Sequence, residues 1–368
     1  MLSMQAILEF LEQIAPLRLA AEWDNVGLLL GDSNGRVDRI MTCLTVSPEV
    51  AAEAIEAQAQ LIITHHPILF RGVKSLTTVT PEGCMVWSLA RAGIAVYSPH
   101  TAFDNVAGGI NDLLAKRLGL VDVGPLRKQD GERKCKVVVF VPDADLSRVA
   151  DALFAAGAGN IGQYSQCSFG VGGTGTFFGS DTAHPSVGQK GRREEVAEWR
   201  LEVVCPEERV AAVVAAMRKA HSYEEPALDV YPLRPQPSSL GEGRIGRLPQ
   251  PRSLTDFAQA VKGALQSGPV LTVGDPDRRI QHVAIACGAG GEFLADAERA
   301  GADAMLTGEM RFHDYLAAKA WGVALILPGH YATERCGAED MAERIGSKWP
   351  DLLVWASRRE RDPSGWVL

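Results

Sequence analysis

Apolar residues along the chain fall into two patterns, which alternate over residues 1–125. Short, fully apolar runs such as Leu61–Thr64 are typical of strands buried on both faces of a parallel sheet. Longer segments with apolar positions three or four apart, such as residues 4–15, are typical of amphipathic helices. The alternation predicts βαβ units, and therefore a sheet of parallel strands covered by helices.

The same rhythm returns after residue 235, whereas the middle of the chain differs. There the pattern predicts the order β-α-β-β-α-β, with a glycine-rich strand near Gly170, and this order is ferredoxin-like. Residues 234–246, RPQPSSLGEGRIG, predict a linker. We therefore expect an α/β domain of three sheet-and-helix layers, formed by residues 1–125 and 236–368, and interrupted by an α+β insert of residues 126–235.

Composition narrows the class of protein. The 368 residues are 46% hydrophobic and carry a formal net charge of −8, which disfavours general nucleic-acid binding. No apolar run reaches the ~20 residues of a membrane span, and the N-terminal segment, with Glu9 and Glu12, predicts a helix rather than a signal peptide. The seven cysteines are scattered, which indicates buried thiols in a reducing compartment rather than a thiolate zinc site. We expect a cytoplasmic protein.

Histidines and carboxylates follow three predicted strands. In open α/β sheets, ligands bind beyond the carboxyl ends of the strands. One strand is followed by His65 and His66, the second by His100 and then Asp104, and the third by His330 and then Glu334. Each residue has a structural explanation when taken alone, such as a turn or a helix cap. The separate structural explanations would have to coincide at three strand ends, so a shared metal site is favoured instead.

The number of these residues exceeds the needs of one tetrahedral site. Imidazole and carboxylate ligands favour zinc, manganese, iron, cobalt or nickel over calcium. We expect two cations ~3.5–4 Å apart, with His65, His66 and His330 as nitrogen ligands and Asp104 and Glu334 as bridging or terminal oxygen ligands. His100 is a further ligand or an acid–base group. We predict structural or surface roles for His184, His282 and His313.

A glycine-rich loop, CGAGG at residues 287–291, follows another predicted strand. It lacks the full GxGxxG and a well-placed acidic partner, so it is weak support for a dinucleotide cofactor. A packing role, or a turn near an anionic ligand, is favoured.

Four motifs in order, EWDNVGLLLGD, THHPILF, SPHTAFDNVAGGIND and PGHYATE, together resemble the Nif-three-like proteins, which many genomes label GTP cyclohydrolase I type 2 homologues. The segments AGAGNIGQYSQCSFG and AHSYEEPALDVYPL resemble the extra, PII-like and CutA-like domain of the long bacterial members. Within the second segment, His221, Glu224 and Glu225 could bind a metal or effector, but a structural role is favoured.

The resemblance implies a dinuclear site on His65, His66, Asp104, His330 and Glu334, with His100 close to the metals. It also implies a ring-shaped homohexamer, a trimer of dimers, whose metal sites face an internal cavity covered by the insert domains. Two positions depart from the family pattern: Glu309 lengthens a commonly present Asp, and Ser222 replaces a Pro.

The function we expect is hydrolysis of a nucleotide or related phosphorylated small molecule with two divalent cations per chain, zinc, iron or manganese, and with His100 in proton transfer. The reaction is of the GTP cyclohydrolase type, which releases formate, or it is phosphoester hydrolysis. The alternative is a non-catalytic metal-binding or regulatory ring. A ring that binds protein or nucleic acid is a further alternative, which the acidic charge disfavours; we interpret the basic residues between Arg127 and Arg193 as a solvated face.

Overall fold

The structure, a computed structural model, describes residues 1–130, 133–234 and 237–365. Its strands in chain order are β1 (Leu2–Ser3), β2 (Gly27–Leu30), β3 (Arg36–Val37), β4 (Arg39–Cys43), β5 (Leu61–Thr64), β6 (Ala95–Ser98), β7 (Val121–Asp130), β8 (Lys134–Pro142), β9 (Ser168–Phe178), β10 (Arg193–Pro206), β11 (Leu228–Pro232), β12 (Pro237–Ser253), β13 (Leu271–Val273), β14 (Arg279–Ala286), β15 (Ala304–Thr307), β16 (Ala324–Leu327) and β17 (Leu353–Ala356).

The α-helices are α1 (Met4–Ile14), α2 (Pro48–Glu56), α3 (Pro81–Arg91), α4 (His100–Asn105), α5 (Ile110–Arg117), α6 (Leu146–Ala155), α7 (Val210–Ala220), α8 (Leu254–Leu265), α9 (Leu294–Arg299), α10 (Phe312–Trp321) and α11 (His330–Lys348). None of the helices in the described ranges is long and apolar enough to cross a membrane. The fold is mixed α/β, with helices and several sheets.

The chain forms two compact units. The discontinuous unit comprises Met1–Gln129 and the chain from Ser239 onward, and the insert unit comprises Asp130–Ser238. The linker expected at residues 234–246 is wrong from residue 237 onward, where the chain is strand β12, while residues 235 and 236 lie outside the described residues. Its glycines serve close packing: a Cβ on Gly241 would lie 2.3 Å from the Arg127 carbonyl oxygen.

The discontinuous unit contains two large sheets rather than one. The first has the strand order β17-β4-β5-β6-β2, and the second has the order β13-β16-β15-β14-β12-β7. Crossovers through helices keep β4, β5 and β6 parallel, and likewise β14, β15 and β16. The edge strand β17 also pairs parallel with β4. β2, β12 and β13 pair antiparallel to their neighbours, so the expected all-parallel pairing holds for only part of each sheet.

Both faces of the central strands are covered, which explains their uninterrupted apolar sequences. In β5, Leu61 and Ile63 join the largest hydrophobic core, which also contains Leu306 and Ile326 of the second sheet and residues of α1, α5, α8 and α11. Ile62 points to the opposite face, into a core with α2 and α3. The two sheets therefore share a helical layer, and the carboxyl end of β5 emerges from a fully packed strand.

The insert unit has the predicted order β8-α6-β9-β10-α7-β11. Its strands form an antiparallel sheet of order β11-β8-β10-β9, so β9 lies at an edge. Alternate valines of β8, namely Val137, Val139 and Val141, pack against Leu153 of α6 and Val213 of α7. Apolar residues on one face of the sheet thus hold both helices.

Candidate metal centre

The predicted site residues come from the ends of three strands on two sheets. His65 and His66 follow β5, and His100 opens helix α4 directly after β6. His330 opens helix α11 after β16 of the other sheet, and Glu334 lies one turn further along α11 on the same face. Asp104 has the same spacing from His100 in α4. The carboxyl ends of the two sheets therefore supply one cluster of side chains.

The cluster is tight around the Glu334 carboxylate. Glu334 Oε2 lies 3.0 Å from His66 Nε2, 3.0 Å from His330 Nε2 and 3.9 Å from His65 Nε2. His65 Nε2 lies 3.6 Å from Asp104 Oδ1, and the Nε2 atoms of His66 and His330 are 3.4 Å apart. Imidazole nitrogens and carboxylate oxygens therefore lie close together. Their lone pairs would repel one another unless a proton or a cation lay between them.

Two overlapping groups in this cluster could each hold a metal ion. One comprises His66, His330 and Glu334, and the other comprises His65, His66 and His100; within each group the ligand atoms lie within 4.8 Å of one another. Asp104 belongs to neither group, and its contact with the cluster is the 3.6 Å distance between its Oδ1 and His65 Nε2. The ligand types suit a borderline divalent cation.

His65 provides a test of whether the residues fit a metal. Its side chain is only 3% exposed, yet neither ring nitrogen has a hydrogen-bond partner among the described residues. A buried polar group without a partner costs about 1–3 kcal/mol. A neutral imidazole with a free nitrogen that faces two carboxylates is the arrangement that a cation needs.

The protonation states of the cluster follow from burial and from mutual contact. Burial alone raises the pKa of Glu334, but hydrogen bonds from His330 and His66 outweigh it and hold this pKa well below the usual range. The contact with Glu334 raises the pKa of His330 to about 9. Burial and then the Glu334 charge raise the pKa of Asp104 to about 7, and burial lowers the pKa of His65 well below 6.5. A cation would displace the shared protons.

Neighbouring residues orient two of the candidate ligands. The Thr45 hydroxyl lies 2.7 Å from His66 Nδ1, and Glu309 Oε1 lies 3.0 Å from His330 Nδ1. Both contacts leave Nε2 directed at Glu334, as is usual for metal-binding histidines. The lengthened acid at position 309, whose role the sequence left open, therefore contacts a site histidine. Thr45 was not predicted, although it closely follows a strand end as the ligands do.

His100 is held by an aspartate that sequence reasoning missed. Asp24, within the EWDN motif, accepts from His100 Nδ1 at 2.7 Å and from the Thr101 amide at 3.2 Å. Burial lowers the pKa of His100, but the Asp24 contact outweighs this and raises it. His100 has a φ of +31°, a strained value for a residue with a side chain. The ring is 5.1 Å from that of His65, measured between centroids, and its Nε2 remains free of Asp24.

The glycine loop after β14 makes room for the cluster. Gly288 has a φ of +61°, and a Cβ there would lie 2.1 Å from Glu334 Oε1. The adjacent Cys287 thiol donates to Asp104 Oδ1 at 3.1 Å. The packing role favoured for CGAGG is therefore the one that the structure supports, next to the metal centre.

Two cavities open onto the cluster. One, of about 570 Å³, is lined by His66 and His330 together with Tyr315, Tyr331 and Arg361. The other, of about 210 Å³, is lined by His100, Asp104 and Glu334 with Trp23 and Cys287. The larger volume is in the usual range for small-molecule sites.

His221 of the insert unit differs from His65 in its hydrogen bonding. Its Nε2 donates to the Phe140 carbonyl at 3.0 Å, and its Nδ1 accepts from the Tyr223 amide at 3.0 Å. Both nitrogens are used, so the structural role favoured for His221 agrees with the geometry. Glu225 pairs with Arg218 at 3.2 Å.

Comparison with known proteins identifies the family. The model of the family described as Duf34/NIF3 (NGG1p interacting factor 3) matches residues 2–363. The chain belongs to the DUF34/NIF3 family. This confirms the resemblance seen in the four motifs.

Curated relatives cover almost the whole chain. A Halalkalibacterium halodurans protein named "GTP cyclohydrolase 1 type 2 homolog" is 39% identical over 98% of this chain and 97% of its own length. A Mycobacterium tuberculosis protein of the same name is 40% identical over 94% and 92%.

Solved structures are also similar to this chain over almost its whole length. A Bacillus cereus protein related to NIF3 is 36% identical, with a TM-score of 0.76 and 98% of each chain covered. A Staphylococcus aureus protein is 28% identical, with a TM-score of 0.85 over 100% of this chain and 99% of its own.

Proposed function

We propose that this protein is a metal-dependent hydrolase of a nucleotide or a related phosphorylated small molecule. The observation that carries the proposal is the buried His65, whose ring nitrogens have no partner in the described chain while two carboxylates face it. The names of the curated relatives support a reaction of the GTP cyclohydrolase type. Phosphoester hydrolysis is the second reaction that such a site suits.

The ligands in this proposal are the five residues predicted from the sequence. His65, His66 and His330 provide nitrogen atoms, and Asp104 and Glu334 provide oxygen atoms, for two divalent cations, zinc, iron or manganese. Two such cations supply Lewis acidity and lower the pKa of water, so that a hydrolytic nucleophile exists near neutral pH. Thr45 and Glu309 keep the half-buried His66 and His330 in the binding orientation.

His100 has the role of proton transfer. Asp24 holds its Nδ1–H, so the tautomer is set and Nε2 is the nitrogen that accepts or donates a proton. The raised pKa of His100 favours the donor form at the approach of a leaving group. The strained backbone at His100 is typical of a functional position, and its ring lies 5.1 Å from that of His65, measured between centroids.

The larger cavity is the proposed substrate site. Its volume of about 570 Å³ suits a nucleotide. Tyr315 and Tyr331 offer surfaces for a base, and Arg361 offers a positive charge for phosphate.

Assembly and compartment follow from the family resemblance. We expect a cytoplasmic homohexamer, a trimer of dimers, with a PII/CutA-like insert. The antiparallel sheet of the insert, with α6 and α7 packed on it, supports that assignment, and the mass of the native particle tests the assembly.

Turnover of GTP by metal-loaded protein tests the reaction, with formate and phosphate followed together. Glu334→Ala removes the central carboxylate, and Glu343→Ala, at an exposed position of the same helix, is the matched control. Formate that disappears only in Glu334→Ala supports the cyclohydrolase reaction, and phosphate alone supports phosphoester hydrolysis. If protein that holds its metals releases neither formate nor phosphate, both reactions with GTP are contradicted and the regulatory ring is favoured.

A further inference from the structure

The insert unit contains a cavity of about 400 Å³ whose lining includes no residue of the metal centre. Phe140, Phe177 and Val187 contribute apolar walls, and the volume is within the range of small-molecule sites. Residues of the glycine-rich strand β9, at the edge of the sheet, line part of the cavity. Nothing in the proposed reaction uses it.

Two connections close the cavity. The Ser186 hydroxyl donates to the Ser222 carbonyl at 2.6 Å, and the His184 amide donates to Glu224 Oε2 at 3.1 Å. Both join the loop between β9 and β10 to the turn after α7. The wall is thus held by hydrogen bonds between segments distant in sequence.

The carboxylates that line the cavity give it a negative charge. Glu198, Glu224 and Glu225 line it, and no lysine or arginine of the described chain does. Glu225 is paired with Arg218, and Glu224 accepts the loop amide. Glu198 is half-buried and forms no ion pair within the described ranges. It is therefore the carboxylate whose charge remains available to a ligand.

A buried hydroxyl lies beside that carboxylate. The Tyr223 hydroxyl oxygen is inaccessible to solvent and makes no hydrogen bond of normal geometry with a described residue. Burial, and then close contact with the Glu198 carboxylate, raise the pKa of Tyr223, so it keeps its proton. The pair offers an anion and a neutral polar group at one spot.

A glycine of β9 provides the space for Glu198. A Cβ on Gly175 would lie 2.0 Å from Glu198 Oε2. Glycine within a strand weakens it and often marks a position where another group approaches closely. The glycine-rich sequence of β9, which the metal centre does not explain, has a use here.

We propose that this cavity binds a small organic cation, an amine, amidine or guanidine on an aromatic or aliphatic body. The cationic group lies at Glu198 and the Tyr223 hydroxyl, and the body packs on Phe140 and Phe177, whose ring faces also attract cations. The carboxylates exclude anions such as free phosphates. This site is separate in its residues from the proposed hydrolase centre.

Binding of 4-aminobenzamidine to the full-length protein tests the proposal by fluorescence titration or calorimetry. The matched probes are 4-aminobenzamide, which has a similar shape without the charge, and 4-aminobenzoate, which is an anion. We expect saturable binding of one amidine per chain, at least about tenfold weaker binding of the amide, and no binding of the benzoate.

The variants localise the binding. Glu198→Gln should weaken amidine binding by roughly tenfold or more, whereas Glu195→Gln, an exposed position of the same strand, should leave it unchanged. Tyr223→Phe keeps the shape and should weaken binding about threefold to tenfold, which preserves the test if Glu198→Gln does not fold. Absence of saturable binding, equal binding of amide and amidine, or full affinity in both Glu198→Gln and Tyr223→Phe would overturn the proposal.

Discussion

Two buried histidines in this chain show opposite hydrogen-bonding states. His221 in the insert unit is 7% exposed and His65 in the discontinuous unit is 4% exposed. Both nitrogens of His221 are hydrogen-bonded to the backbone. Neither nitrogen of His65 has a partner in the described chain, although two carboxylates lie 3.6 and 3.9 Å from its Nε2. Burial is alike in the two histidines, and they differ in how many of their ring nitrogens are hydrogen-bonded.

This difference has an energetic reason. A fully paired imidazole stabilises the fold by about 1 kcal/mol per hydrogen bond. An unpaired buried imidazole destabilises it, so such a group persists where a bound ion recovers the lost interaction. The comparison therefore makes separate predictions for stability and for metal affinity.

The largest effect is expected for Glu334→Ala. This carboxylate lies within 3.9 Å of three imidazoles, and its loss leaves a proposed bridging position empty. At least one cation should be lost, with affinity reduced by more than about 100-fold. Metal content after dialysis measures this, with Glu343→Ala as control. Two tightly held metals per chain in Glu334→Ala would refute the bridging role.

His65→Ala should reduce metal affinity by roughly 100-fold and leave the metal-free fold almost unchanged. The lost packing is offset because two unpaired buried nitrogens disappear, so the free energy of unfolding should change by less than about 1 kcal/mol. Calorimetric titration with zinc and chemical denaturation of the metal-free protein measure the two quantities. A large loss of stability with normal metal affinity would place His65 with the structural histidines.

His221→Ala should show the reverse. The Phe140 carbonyl and the Tyr223 amide lose their partner, so the free energy of unfolding of the protein should fall by about 2–4 kcal/mol. Metal content should stay the same. The same denaturation and dialysis experiments apply, and a loss of metal from His221→Ala would contradict its structural role.

A smaller effect is expected for Glu309→Ala. Glu309 contacts His330 Nδ1 without reaching the shared carboxylate, so metal affinity should fall about tenfold. Glu298→Ala, at an exposed position of the same unit, is the control. Titration with zinc measures the difference, and equal affinities in the two variants would show that Glu309 does not support the metal centre.

The smallest effect is expected for Glu53→Gln, which changes a buried and fully hydrogen-bonded carboxylate and should alter the free energy of unfolding. Burial raises its pKa, but hydrogen bonds from the amides of Arg358 and Arg359 and from the Ser357 hydroxyl outweigh this and lower it below 4.5. Its stabilisation is therefore present above pH 4.5 and lost as the pH falls through the lower, folded-state pKa. Glu53→Gln should cost about 1–2 kcal/mol at pH 7 and nothing at low pH. Denaturation at several pH values measures this, and a cost independent of pH would exclude the charge as its cause.

The sequence predicted much of this architecture correctly, but some of its predictions were wrong or incomplete. Apolar runs such as LIIT marked strands because covered parallel strands need apolar side chains on both faces. The same reasoning failed for residues 237–246, where glycines that look like a linker allow close strand packing. It also missed Asp24 and Thr45, since nothing in local sequence shows which nitrogen a distant side chain contacts.

By itself, the sequence determined the elements, the family and the residues at the strand ends, because periodicity and motifs are local properties of the chain. Only the tertiary structure decided that the discontinuous unit contains two large sheets, and that His66 and Glu334 meet at 3.0 Å across them. It also decided that His65 is unpaired while His221 is satisfied. Contacts of this kind depend on the packing of segments hundreds of residues apart, which no pattern within one segment specifies.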